Sequence, residues 1–86
     1  MSIVLSILVP TYNGWDRIKS LILSLYQYNY VINPECEILI SDNCSTDNSF
    51  HELSLLPAPF QVSTTENNLD FPGNLRVLLS KASGKY

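Results

Sequence analysis

The sequence predicts an α/β fold, a three-layer α/β/α half-domain built on a parallel sheet in the order 3-2-1. Three observations carry this expectation. One unit, strand then polar loop then helix, recurs three times along the chain. The first two strand candidates are nearly continuous apolar runs, as strands covered on both faces require. The third alternates apolar and polar residues, which marks a strand at an edge or covered on one side only.

Residues 3–9 (IVLSILV) form the first run, rich in β-branched side chains, and Pro10 stops it. After the polar loop 11–14, Ile18, Leu21, Ile22 and Leu25 fall at i, i+3, i+4 and i+7 and give one apolar helical stripe. Residues 37–41 make the second strand. The polar stretch SDNCSTDN at 41–48 follows, with the next helix expected to start near Ser45 or Thr46, whose hydroxyls suit N-capping. Asp47 suits the positive end of that helix, Phe50, Leu53 and Leu56 supply its apolar side, and Pro57 and Pro59 end it. In residues 60–65, Phe60, Val62 and Thr64 share one face. Pro72 fits the first position of a third helix, whose stripe is Leu75, Leu78, Leu79 and Ala82, with Gly84 as its cap. Right-handed crossovers make the strands parallel. Strand 1 is then left with an unpaired edge, so a non-catalytic module that forms a homodimer through that edge is an alternative to an enzyme.

Composition narrows the function. The chain has 86 residues, at most one small domain with a marginal core. Only 15% of residues are charged, so some of the surface is expected to face more protein. The net charge is −3 and the five basic residues are scattered, which excludes a nucleic-acid stripe. No membrane span and no charged signal-peptide start are present, giving a cytoplasmic expectation. Cys36 and Cys44 flank a strand and are expected to be free thiols. The sequon Asn43-Cys44-Ser45 carries no weight without a secretory signal.

In an open α/β sheet, ligands bind beyond the carboxyl ends of the strands. All three such loops here are rich in Asn, Asp, Thr and Tyr. Taken singly each is explained by caps and turns; together they indicate a site. Neither a G-x-G-x-x-G nor a G-x-x-x-x-G-K-[ST] loop is present, and the end of strand 1 lacks the paired acids of a receiver domain. Tyr12 at the first strand tip and Asp42 at the second could stack a nucleobase and accept its N–H, the expected base being uracil or another that presents an N–H donor. Against this stand a ring that only covers the first helix and an acid that only caps its loop. Trp15 is expected to pack under the loop, Tyr26, Tyr28 and Tyr30 to lie at the helix surface or an interface, and His51 to be solvated.

Residues 7–13 (ILVPTYN), 38–47 (ILISDNCSTD), 66–71 (ENNLDF) with Gly73-Asn74, and 82–86 (ASGKY) resemble the amino-terminal half of the family 2, GT-A type, glycosyltransferases. The resemblance spans nearly the whole chain, and V-P-T-Y-N followed by D-x-x-S-T-D is its most specific part. It implies an inverting transfer from a nucleotide-diphospho-sugar, UDP-linked in this expectation, to an acceptor hydroxyl, often in building surface polysaccharide. It further implies that Pro10, Thr11, Tyr12 and Asp42 bind the nucleotide, with Asn13, Asn43, Asn68 and Asp70 as additional pocket lining. The family commonly has a second acid and a glycine after the position of Asp42, where this chain has Asn43 and Cys44. Where many members have N-L-G-F, this chain has Asn68-Leu69-Asp70-Phe71, which leaves the local turn in question. The D-x-D acids that hold Mg²⁺ or Mn²⁺ and the acceptor-side acid or base belong, in the family, beyond residue 86. Residues 1–86 are thus expected to be the donor-binding half, inactive alone.

Overall fold

The computed structural model describes residues 2–86. Its elements are β1 (Leu5–Thr11), α1 (Trp15–Gln27), β2 (Cys36–Asp42), α2 (Ser49–Ser54), β3 (Phe60–Thr64) and α3 (Phe71–Lys81). The sheet order is β1-β2-β3, the expected arrangement, and both pairings are parallel. Ile7 lies opposite Ile38 and Val9 opposite Ile40, while Ile38 and Ile40 face Phe60 and Val62 on the other side.

Because side chains alternate along a strand, this register puts Ile7, Val9, Ile38, Ile40, Phe60 and Val62 on one face. There they meet Ile18, Ile22 and Leu25 of α1 and Leu53 of α2 in one core cluster. Fully burying a side chain of this size contributes about 1.5–3 kcal/mol, and Ile38, Ile40 and Leu53 are among the most completely buried residues. The opposite face carries Glu37, Leu39 and Ser41 and is covered by α3, which packs on β1 and β2. The result is a three-layer α/β/α arrangement.

The helix ends follow from local chemistry. Gly14 precedes α1, and its carbonyl accepts from the Arg17 and Ile18 N–H groups at 3.0 and 2.9 Å. A Cβ at this buried glycine would sit 2.6 Å from Thr11 Oγ1, so the close approach of β1 to α1 excludes a side chain there. Past the other end of α1, Asn29 takes a left-handed conformation (φ 64°). Its N–H donates to Tyr26 O and that of Tyr30 to Leu25 O, the paired bonds of a Schellman stop. Asp70 caps α3, accepting from Gly73 N–H at 2.7 Å, with a proline in the first turn as expected.

Several expectations are corrected. The strand bounds differ: β1 runs later than expected and includes Pro10 and Thr11, β2 is longer by one residue at each end, Cys36 and Asp42, and β3 ends at Thr64. Helix α2 starts at Ser49, later than Ser45 or Thr46, because both hydroxyls are engaged elsewhere, with Asp42 and Asn13. Leu79 is exposed, and the buried face of α3 is formed by Asn74 and Leu78, flanked by the partly buried Leu75. Gly84 is not a left-handed helix cap, since no glycine here has positive φ. It packs instead against the start of β1, where a Cβ would meet Ser6 Oγ at 2.6 Å and Ser6 N at 2.8 Å. The edge of β1 is also not wholly unpaired. Ser6 N–H donates to Tyr86 O at 2.7 Å and Tyr86 N–H to Val4 O at 3.0 Å, a parallel step that occupies the first part of the edge on which the homodimer expectation was based.

Candidate functional site

The three strand tips meet at one end of the sheet. Thr11 lies opposite Asp42, and Asp42 opposite Thr64. Asn43 N–H extends the first ladder to Thr11 O (2.8 Å), and Thr65 N–H extends the second to Asp42 O (3.0 Å). The loops after the strands therefore start side by side.

Asp42 is fully buried. One carboxylate oxygen, Oδ2, accepts the Ser45 N–H at 2.9 Å, and the other accepts the Ser45 hydroxyl. The acid thus closes a tight turn over its own strand end. Ser45 Oγ in turn accepts the Asn13 N–H at 2.9 Å, so the chain Asp42–Ser45–Asn13 joins the second loop to the first.

Asn13 completes that junction with its side chain. Its Oδ1 accepts from Thr46 N–H at 2.9 Å and Asp47 N–H at 3.3 Å, and its Nδ2 donates to Thr46 Oγ1 at 3.2 Å. The residue sits at φ 48°, in the left-handed region that Asn tolerates better than most residues. Cys44 is left-handed too, at φ 58°. A glycine takes that conformation without steric cost, so the cysteine is the less tolerant residue here.

Asn43 ties the second loop to the third. Its Oδ1 accepts Leu69 N–H at 2.7 Å and Thr65 Oγ1 at 3.1 Å, while its Nδ2 donates to Leu69 O. A carboxylate at this position could accept but not donate, so an amide suits both backbone groups of Leu69.

The residues expected to form the site are therefore gathered at one end of the sheet, in unlike states. Tyr12 follows Thr11 and is 41% exposed, so its ring is accessible. Thr11 turns its hydroxyl under Gly14. Pro10, level with Ser41 in register, falls on the α3 face of the sheet, opposite to Thr11. Asn68 is exposed. Asp70 takes an extended conformation (φ −68°, ψ 171°) and caps α3, so the backbone there does not need the glycine of N-L-G-F.

Residues outside the expected set also organise this end. Asn74, buried on α3, accepts from Ser41 Oγ at 2.6 Å and donates to Ser41 O at 3.1 Å. An Asn four residues before Leu78, inside an otherwise apolar stripe, was the signal for it. No buried side-chain polar atom among the described residues lacks a partner. Trp15 packs against the core, Tyr26, Tyr28 and Tyr30 are exposed, and both cysteines are free thiols. His51 is exposed.

A cavity of about 270 Å³ opens between the starts of α1 and α2, lined by Asn13, Trp15, Asp16, Asp47, Asn48, Ser49 and Glu52. Of the expected site residues only Asn13 reaches it. Its three carboxylates give it a negative wall that repels a diphosphate. The Asp47 carboxyl is held below the ordinary carboxylate range by the Ser49 hydroxyl and N–H. Among the described residues no three His, Cys, Asp or Glu side chains converge to hold a metal ion. No helix among them is long and apolar enough to cross a membrane.

Comparison with known proteins places this architecture. The profile described as Glycosyl transferase family 2 matches residues 6–86. Poly(ribitol-phosphate) beta-N-acetylglucosaminyltransferase TarS of Staphylococcus aureus, in strains Mu50 and MW2, is 34% identical over 84 residues, 94% of this chain. The chain spans only 14% of the length of those relatives. The crystal structure of S. aureus TarS superposes with a TM-score of 0.80 at 31% identity, covering 96% of this chain and 15% of that one. The three parallel strand-loop-helix units are thus a partial GT-A fold, and the chain belongs to glycosyl transferase family 2.

Proposed function

We propose that these residues form the donor side of an inverting glycosyltransferase that takes a UDP-linked sugar and serves the assembly of a surface polymer. The observation that carries this reading is that the exposed Tyr12 directly follows Thr11, the β1 residue paired with Asp42, at the sheet end where α/β proteins hold ligands. Three loops converge there, each fastened to the next by a side chain, so a ligand meets a preorganised surface.

In this reading the uracil ring stacks on Tyr12. Asp42 acts first as the brace of the Ser45 turn. Both oxygens are buried and engaged by Ser45, so the acid supports the base site through this turn rather than by touching the base. Asn43 holds the backbone of residue 69 where a pocket wall is needed, and Asn13, Asn68 and Asp70 shape its rim. The acidic cavity beside Asp47 and Glu52 is left to other uses, because a diphosphate is repelled there. N-acetylglucosamine is the first sugar to test, since the similar TarS proteins are named for its transfer. These residues are assigned to donor binding, and the 86-residue chain is expected to bind donor without transferring sugar.

The experiment is a titration of the chain with UDP, UDP-N-acetylglucosamine and CMP, followed through the resonances of Tyr12, Asn43 and Leu69. Shifts at these residues with UDP ligands support the reading. Shifts confined to the cavity beside Asp47, or none with any nucleotide at millimolar concentration, reject it.

A further inference from the structure

Glu37 is a buried carboxylate near the start of β2, just before the apolar run Ile38–Ile40, on the sheet face covered by α3. Burying a charge there is costly, and a β-branched apolar residue would serve the sheet better unless the acid does something more. Its partners indicate what that is. Ser6, directly across in β1, donates its hydroxyl to Oε1 at 2.7 Å. Ser83, just past α3, donates its N–H to the same oxygen at 2.7 Å and places its hydroxyl 3.1 Å from both oxygens. Gly84 N–H then donates to Ser6 Oγ at 2.8 Å. The end of α3 does not need this acid, because the Ala82 N–H already bonds the carbonyls of Leu78 and Leu79.

Two further observations point the same way. Gly84 runs so close to β1 that a Cβ would stand 2.6 Å from Ser6 Oγ, 2.8 Å from Ser6 N and 3.0 Å from Leu5 C. Immediately after it, Tyr86 joins the free edge of β1 in a parallel step between Val4 and Ser6.

We propose that Glu37 is a positioning residue: by gathering Ser6 and Ser83 on one carboxylate, it fixes the register at which residues 84–86 run beside β1. The segment then points along β1 toward the end of the sheet where Tyr12 and Asp42 lie. Glu37 acts from the opposite end of β2, five residues before Asp42 and level with Ser6 of β1. The proposal does not depend on which nucleotide, if any, binds there.

Amide hydrogen exchange on the chain and on the variants Glu37→Ala, Glu37→Gln and Gly84→Ala tests it. The amides of Ser6 and Tyr86 report the segment, and those of Asn43 and Thr65 report the sheet end far from it. In Glu37→Ala, Ser6 and Tyr86 are expected to exchange about tenfold faster while Asn43 and Thr65 keep their rates. Glu37→Gln, which keeps an acceptor oxygen, is expected to restore part of the protection. Gly84→Ala perturbs only the close approach and should release the same two amides; if Glu37→Ala does not fold, Glu37→Gln decides, its Ser6 and Tyr86 amides still exchanging faster than in the parent. Unchanged rates at Ser6 and Tyr86 in the variants that fold, or an equal rise at all four amides, would overturn the proposal.

Discussion

The side-chain amide of Asn43 closes on the backbone of Leu69 from both directions, accepting its N–H at 2.7 Å and donating to its carbonyl. This pairing fixes the third loop on the tip of β2. Asn43→Asp keeps the acceptor, loses the donor and sets a charge against the carbonyl oxygen. Leu69 is exposed and water can reach its carbonyl, so losing this bond costs about 0.5–1.5 kcal/mol. Urea unfolding should show that loss, with faster exchange at the Leu69 amide; equal stability would mean that the amide is dispensable.

Asn13 plays the matching part between the first and second loops. Asn13→Ala removes three side-chain bonds and puts a less tolerant residue at φ 48°. Asn13→Gly removes the same bonds but relieves the backbone, a difference of about 1–2 kcal/mol in the left-handed region. Both variants are expected to be less stable than the parent, with alanine the worse. A glycine variant as unstable as the alanine one would show that backbone conformation plays no part.

Cys44 predicts a gain. At φ 58° it pays the left-handed penalty, and its only polar contact is a long thiol bond to Glu66 O at 3.7 Å. Cys44→Gly is expected to raise stability by about 0.5–1 kcal/mol once glycine's greater unfolded-state entropy is counted. Thermal unfolding under reducing conditions measures it, and a lowered midpoint would contradict the assignment.

Glu37 sets a pH dependence. The Ser83 N–H is the first cause holding its carboxyl below the ordinary 4.5, against the opposing effect of burial, with Ser6 and the Ser83 hydroxyl adding to the lowering. A carboxylate depressed on folding stabilises the native state above the unfolded-state value, and that contribution is lost as pH falls through the folded-state value. The stability advantage of the parent over Glu37→Gln should therefore be full near neutrality and shrink below about pH 4.5. Urea midpoints taken from pH 7 to pH 3 check this; an advantage that grows on acidification has the wrong sign.

The fold was legible because its signals are local. Apolar runs at 3–9 and 37–41, the alternation at 60–65 and the helical spacing of Ile18, Ile22 and Leu25 specify strands, edge and helix from short windows. The site was legible as a neighbourhood but not residue by residue. Ser45 and Thr46 carry the hydroxyls of an N-cap, and nothing local says that Asp42 and Asn13, the latter more than thirty residues away, claim them first. Asp70 stands just before Phe71-Pro72, a capping context, yet the family loop suggested pocket lining. The contacts of Glu37 with Ser83 span 46 residues and leave no periodic trace.

The most direct test of the donor-side account is the affinity of UDP for the parent chain and for Tyr12→Ala. Stacking of a base on an aromatic ring is worth about 1–3 kcal/mol, so the account predicts UDP binding weakened at least about tenfold in the variant, with urea stability unchanged because the ring is exposed. Equal affinity in the two chains would contradict it.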